Sequence, residues 1–160
     1  NHKGKPVPTF PKAKYYVQKS CWEHAINPNE KEKAFIRPED FLPIKEQGQL
    51  ELLDGDAEIV NGVTIKQTKG HCYGHQTVFV NQGCNKALFL GDLVPTCHHI
   101  QLNYLTAIDQ FPEYTLSEKR EFLSSAKKDG SLIIFPHGYE DKAGYLEQWN
   151  GKVRLRVVKV

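Results

Sequence analysis

The 160-residue chain has no methionine, no Cys-x-x-Cys pair and no apolar run longer than a few residues. Each absence excludes something. Without methionine, residue 1 is not a translation start that kept its initiator, and Asn1-His2-Lys3-Gly4-Lys5 lacks the apolar stretch of a signal peptide. The short apolar runs leave no transmembrane helix, so no membrane partner is expected. Cys21, Cys72, Cys84 and Cys97 lie far apart, which excludes a zinc ribbon or a redox pair and is too sparse for a disulfide scaffold. They are expected to be reduced thiols of a cytoplasmic protein. A strong excess of either charge is also absent: the net charge is +2, ordinary for a soluble protein, and the lysines are scattered, with no basic face carrying aromatics. Nucleic acid is therefore not an expected partner.

What is present is a strand-rich chain whose length suggests one domain, residues 1–160, large enough to bury a core. A polar arm and a Pro-rich entry lead into a strand at about Lys14 to Gln18, and Ser20 is placed to cap a short helix through Trp22, His24 and Ala25. Residues Asn27 to Asp40 are polar and broken by Pro28 and Pro38, which predicts a surface excursion. A meandering sheet is predicted from Gln49 to Leu53, Glu58 to Val60, Val63 to Gln67, Thr77 to Asn81 and Lys86 to Leu90. Asn61-Gly62 is a tight-hairpin signal within it. Ile100 to Ile108 has no assignable period. Thr115 and Glu118 have capping-box spacing, Phe122, Leu123 and Ala126 form an apolar stripe, and Gly130 ends the helix. A buried strand Ser131 to Phe135, a short helix around Tyr145 to Trp149 and a strand Val153 to Val160 are expected to follow.

Chemistry concentrates at the strand ends. Gly70-His71-Cys72-Tyr73-Gly74-His75 runs into the strand Thr77 to Val80, and Phe89-Leu90-Gly91-Asp92 ends an apolar strand on a carboxylate. Imidazole and carboxylate at the rim of a rigid sheet suit zinc or another divalent transition metal. On the residues alone, loop histidines without a ligand are the competing reading.

These two stretches, followed by His137 after Leu132-Ile133-Ile134-Phe135-Pro136, resemble the second half of a metallo-β-lactamase-fold hydrolase, whose usual text is Gly-His-Thr-x-Gly-His, a Gly-Asp strand end and a later lone histidine. Trp22-Glu23-His24-Ala25, Leu53-Asp54-Gly55-Asp56, Gly91-Asp92-Leu93-Val94-Pro95-Thr96 and Thr115-Leu116-Ser117-Glu118-Lys119 are similar to the quorum-quenching lactonase branch. That branch is itself similar to methyl-parathion-type organophosphate hydrolases. The resemblance implies an α/β fold, the αββα sandwich of that family, with this chain as an incomplete C-terminal part. The family's His-x-His-x-Asp-His signature does not occur here, so a missing N-terminal segment or chain is expected to complete the site.

By the same resemblance, His71 and His137 are expected to ligate two metals, with Asp92 bridging them as the catalytic carboxylate. His99 is expected to face the substrate, set against its reading as a plain loop histidine. His75 is expected to make a structural hydrogen bond, His98 to be exposed, and His2 and His24 to lie on the surface. Cys72 stands where threonine is usual, either as a small filler or as a thiol beside the metal. Gly138 stands where aspartate is usual. The implied activity is metal-dependent hydrolysis, with two zinc ions or other divalent metals, of a small lactone, ester or phosphotriester. The alternative is a non-catalytic remnant or binding subunit, and the 160 residues by themselves are expected to be inactive.

Overall fold

Strands form where β-branched and aromatic residues alternate across a pleat, and helices form where apolar residues recur each turn. The computed structural model of this chain describes residues 6–159, so the polar arm Asn1 to Lys5, His2 within it, and Val160 lie outside the described residues. The chain divides into two compact units, one ending at Gly55 and one beginning at Asp56.

The first unit contains β1 (Tyr15–Gln18), α1 (Lys19–Ile26), α2 (Pro38–Glu46) and β2 (Leu50–Leu53). β1 and β2 form a separate two-stranded parallel sheet, Tyr15 beside Leu50 through Gln18 beside Leu53. The stretch Gln49 to Leu53 is therefore not the start of the meander. Its partner is β1, and the Gln18 side chain fixes the loop after β2 by donating to the Gly55 carbonyl and accepting from the Gly55 amide, both at 3.0 Å. Ser20 is not a cap. The helix begins one residue before it, with Gln18 at the cap position and no side-chain cap bond. Trp22 is buried against the edge of the Phe41 ring. The expected excursion ends early because Pro38 opens α2, where its missing N–H costs nothing. His24 is half-buried rather than a free surface residue, since its Nε2 lies 2.5 Å from the buried Glu32 carboxylate.

The second unit holds a seven-stranded sheet of β3 (Ala57–Val60), β4 (Val63–Thr68), β5 (His75–Gln82), β6 (Asn85–Phe89), β7 (Leu132–Ile134), β8 (Ala143–Trp149) and β9 (Lys152–Val158), in that spatial order. All neighbours are antiparallel except β6 and β7. The long helix α3 (Pro112–Asp129) connects these two parallel strands. It packs Phe122, Leu123 and Ala126 on Leu88, Ile133 and Leu146 to make the core. The opposite face carries a continuous apolar row, Ile65, Val78, Phe89, Ile134 and Ala143, paired strand by strand. The α/β class is as expected.

Two local expectations are corrected here. The stretch Tyr145 to Trp149 is strand, not helix, because Asn150 and Gly151 both take positive φ (48° and 77°) and fold β9 back on β8. Helix α3 starts a turn before Thr115, with Pro112 in its first turn and Gly130 left-handed at its end. Thr115 is buried inside the helix, and Glu118 is not its capping partner.

Candidate metal centre

Strand direction decides what meets at the sheet edge. β4 and β6 are both antiparallel to β5, and β6 is parallel to β7, so β4, β6 and β7 all end on one edge. His71 follows β4, Asp92 follows β6 and His137 follows β7. Three residues separated by up to 66 positions in the chain are thus delivered to one rim by topology alone.

Each is held by backbone contacts. The His71 loop is gripped by α3: the Glu118 carboxylate accepts from the Lys69 and Gly70 amides at 2.8 and 3.1 Å. Gly70 is needed there, since a Cβ would sit 2.4 Å from the Thr115 amide nitrogen. The His71 and Gly70 carbonyls accept from the amides of Gln110 and Phe111. Asp92 lies in a 3-10 turn, Gly91–Leu93, entered through a left-handed Gly91 with φ 54°. The Asp92 amide donates to His75 Nε2 at 3.0 Å, and a Cβ on Gly91 would stand 2.5 Å from that nitrogen. The His137 amide donates to the Pro95 carbonyl at 3.0 Å.

The structure brings His71, Asp92 and His137 together. Asp92 places one carboxylate oxygen 2.9 Å from His137 Nε2 and the other 3.3 Å from His71 Nε2. The far nitrogen of His71, Nδ1, meets the Asp109 carboxylate at 2.9 Å, and this carboxylate also accepts from the Thr106 hydroxyl at 2.6 Å. A carboxylate on Nδ1 keeps a proton there, so Nε2, whose N–H faces Asp92, is the nitrogen that would give up its proton to a metal ion. Asp109 is the site residue that the sequence did not reveal. The signal that finds it is the spacing Thr106-x-x-Asp109, a side-chain-closed turn in a stretch without period.

Electrostatics follow from these contacts. The hydrogen bond from His71, with burial opposing it, holds the Asp92 carboxyl below the usual carboxylate range. Burial works against a charged His71, but Asp92 and Asp109 together outweigh it and raise its basicity. His75 is pushed down to about 4 by burial and by the neighbouring His71. It is a neutral ring that accepts the Asp92 amide on Nε2 and meets the Thr68 hydroxyl through Nδ1 at 2.5 Å, the expected structural hydrogen bond. His99 pairs with the Thr96 hydroxyl at 2.8 Å and is half-buried, while His98 is exposed. Cys72 is half-buried, and none of the four cysteines is in a disulfide.

Two imidazole Nε2 atoms around one two-oxygen carboxylate are the donor chemistry of a divalent transition-metal site. The grouping is pairwise, His71 with Asp92 and Asp92 with His137. Among the described residues no three His, Cys, Asp or Glu side chains could enclose one ion by themselves.

Relatives share this arrangement of elements. N-acyl homoserine lactonases of Bacillus thuringiensis are 28% identical over 127 residues, which is 79% of this chain and 47% of theirs. The chain thus spans about half the length of the curated relatives it matches. A crystal structure of an N-acyl homoserine lactone hydrolase, with N-hexanoyl-L-homoserine bound at its catalytic metal centre, is 27% identical with a TM-score of 0.63 over 78% of this chain and 47% of that one. A probable metal-dependent hydrolase from Staphylococcus aureus superposes with a TM-score of 0.82 at 24% identity over 94% of this chain and 55% of that one, which is a likeness of fold. The metallo-beta-lactamase superfamily profile matches residues 7–137, a span that takes in His71, Asp92, Asp109 and His137, and the chain belongs to that superfamily.

Proposed function

We propose that this chain carries the C-terminal half of the active centre of a metal-dependent hydrolase that opens a lactone, ester or phosphotriester. The observation that carries the reading is Asp92, whose two carboxylate oxygens face the Nε2 atoms of two different histidines. One carboxylate between two separate imidazoles fits two metal ions sharing a bridge better than it fits one ion. His71 and Asp92 would hold the first ion, and Asp92 and His137 the second, with zinc the first candidate. When bound, such a pair supplies a water acidified to hydroxide near neutral pH and a Lewis acid for the oxygen under attack.

The chain's own residues prepare that chemistry. Asp109 holds a His71 proton on Nδ1, so Nε2 is the nitrogen that would exchange its proton for a metal ion. His75 fixes the backbone of Asp92 without carrying charge. Glu118 ties the His71 loop to α3 and the Pro95 carbonyl ties the His137 loop to the segment after Asp92, so the donors are preorganised before any ion arrives. His99, tied to Thr96, is the side chain we place toward the substrate.

The pairwise donor set leaves each ion short of the three protein ligands a catalytic zinc takes. The remainder is assigned to a segment or chain bearing the family's His-x-His-x-Asp-His text. The non-catalytic alternative differs in one measurable respect. In the complete metal-loaded polypeptide, Asp92→Asn is expected to remove most turnover of an acyl homoserine lactone, an aryl ester and a phosphotriester while circular dichroism stays unchanged, because an amide bridges cations poorly. Turnover equal to the parent in that variant removes Asp92 from the mechanism. No turnover of any of the three by the parent favours the binding subunit.

A further inference from the structure

Away from the metal centre, α3, β9 and the loop at residues 100–103 bound an open groove of about 580 Å³. Its size is that of a small-molecule site. None of His71, Asp92, Asp109 or His137 lines it.

The groove has two chemically distinct parts. Its floor is apolar, made by the buried Leu123 of α3 and Leu146 of β8, and it continues onto Val153 of β9, which is 43% exposed. Its charged lining consists of Arg120 and Lys127 from α3 and Lys152 from β9, and no aspartate or glutamate lines it from any of the elements that meet there. Among the described residues none of these three cations forms an ion pair. Lys127 sits in the last turn of α3, where the helix dipole favours a cation, and donates to the amide oxygen of Gln148, which leaves Arg120 and Lys152 as the cations that would meet an anion. Such clustering is unfavourable for the folded chain alone, since like charges converge beside exposed apolar surface with nothing to offset either. An occupant with one anionic end and one apolar end satisfies both parts.

We propose that this groove binds a small single-chain amphiphile with a carboxylate head, its tail on Leu123, Leu146 and Val153 and its head between Arg120 and Lys152. The volume favours such a molecule over a protein segment, and the uncompensated cations favour an anion over a neutral lipid. This inference does not depend on the hydrolase reading.

The test uses the complete polypeptide and octanoate as the probe, followed by calorimetry and by the fluorescence of Trp149, which pairs in register with Lys152. Saturable binding of octanoate, weaker binding of octanol, and about a tenfold rise in Kd for Arg120→Gln with Lys152→Gln are expected. Val153→Asp should also weaken octanoate, because the tail would have to desolvate a carboxylate, and circular dichroism confirms that each variant is folded. Any of four results overturns the proposal. They are an absence of saturable binding, an affinity unchanged in the Arg120 and Lys152 variant, binding abolished by His137→Ala, which places the carboxylate on the metal centre, and binding of an acidic helical peptide or anionic vesicles in place of octanoate.

Discussion

Asp109 shows what a single residue contributes and why it escaped notice. His71, Asp92 and His137 each sit beside a strand and a short motif of the resembled family, so their meeting at one rim was legible in the text. Asp109 belongs to a loop with no hydrophobic period, and its role exists only because the turn closed by Thr106 brings it onto His71 Nδ1. The carboxylate sets the His71 tautomer. Asp109→Asn replaces it with a group that can offer N–H to the same nitrogen and so favour the wrong tautomer. In the complete protein the variant is expected to keep its fold and lose about tenfold to a hundredfold in zinc affinity, read by competition with a chromophoric chelator. Equal affinity would show that the His71 orientation does not need this carboxylate. Gly138 resolves another residue-scale question. A Cβ there would stand 2.5 Å from the Asp141 carbonyl, so the aspartate usual in the family has no room in this turn.

Helix α3 carries more than its apolar stripe announces. Its core face, Phe122, Leu123 and Ala126, and its Gly130 stop were legible because they follow the helical period and the left-handed cap. Its polar work was not, since Glu118 has capping-box spacing yet reaches a different loop, 48 residues away in sequence. The strands β3 to β7 were likewise readable, from short apolar runs bounded by turn residues such as Asn61-Gly62. β8 has no clear strand signal of its own, and only the Asn150-Gly151 turn that pairs it with β9 marks it as strand. α2 was missed because Pro38 and Pro43 look like breakers although one opens the helix and the other lies inside it. Glu118→Ala should strand the Lys69 and Gly70 amides and cost about 1 to 3 kcal/mol of unfolding free energy in urea. A loss within error would mean that water replaces the carboxylate. On the same helix the fully buried Lys119 ammonium donates to the carbonyls of Gln101 and Tyr104, 2.9 and 2.6 Å away. Burial lowers its pKa to about 8, below the 10.5 of the exposed group. Between these two values the unfolded chain holds the extra proton, so raising the pH through that window stabilises the folded form relative to a chain without this lysine. The stability difference between the parent and Lys119→Met should therefore shift in the parent's favour from about pH 8 to pH 10. A flat difference across that range would place the buried pKa at the ordinary value.

At the scale of the whole molecule, donor number governs behaviour. The sheet edge delivers His71, Asp92 and His137 as two overlapping pairs, and among the described residues no three-ligand group exists. Each ion would have two protein ligands, one of them shared, and water in every other position. Chelate affinity falls steeply when a third fixed ligand is replaced by water, because both the bond and the preorganisation are lost. The 160 residues span about half the length of the lactonases they match. The decisive comparison is between them and a polypeptide that also carries the His-x-His-x-Asp-His segment. Calorimetric titration with zinc should show weak or no binding by the 160-residue chain, and two tight sites, with measurable hydrolysis, in the longer polypeptide. Tight stoichiometric binding by the shorter chain would overturn the pairwise reading. The missing ligands would then be sought first in Cys72 and His99, since both nitrogens of His75 are already engaged by Thr68 and by the Asp92 amide.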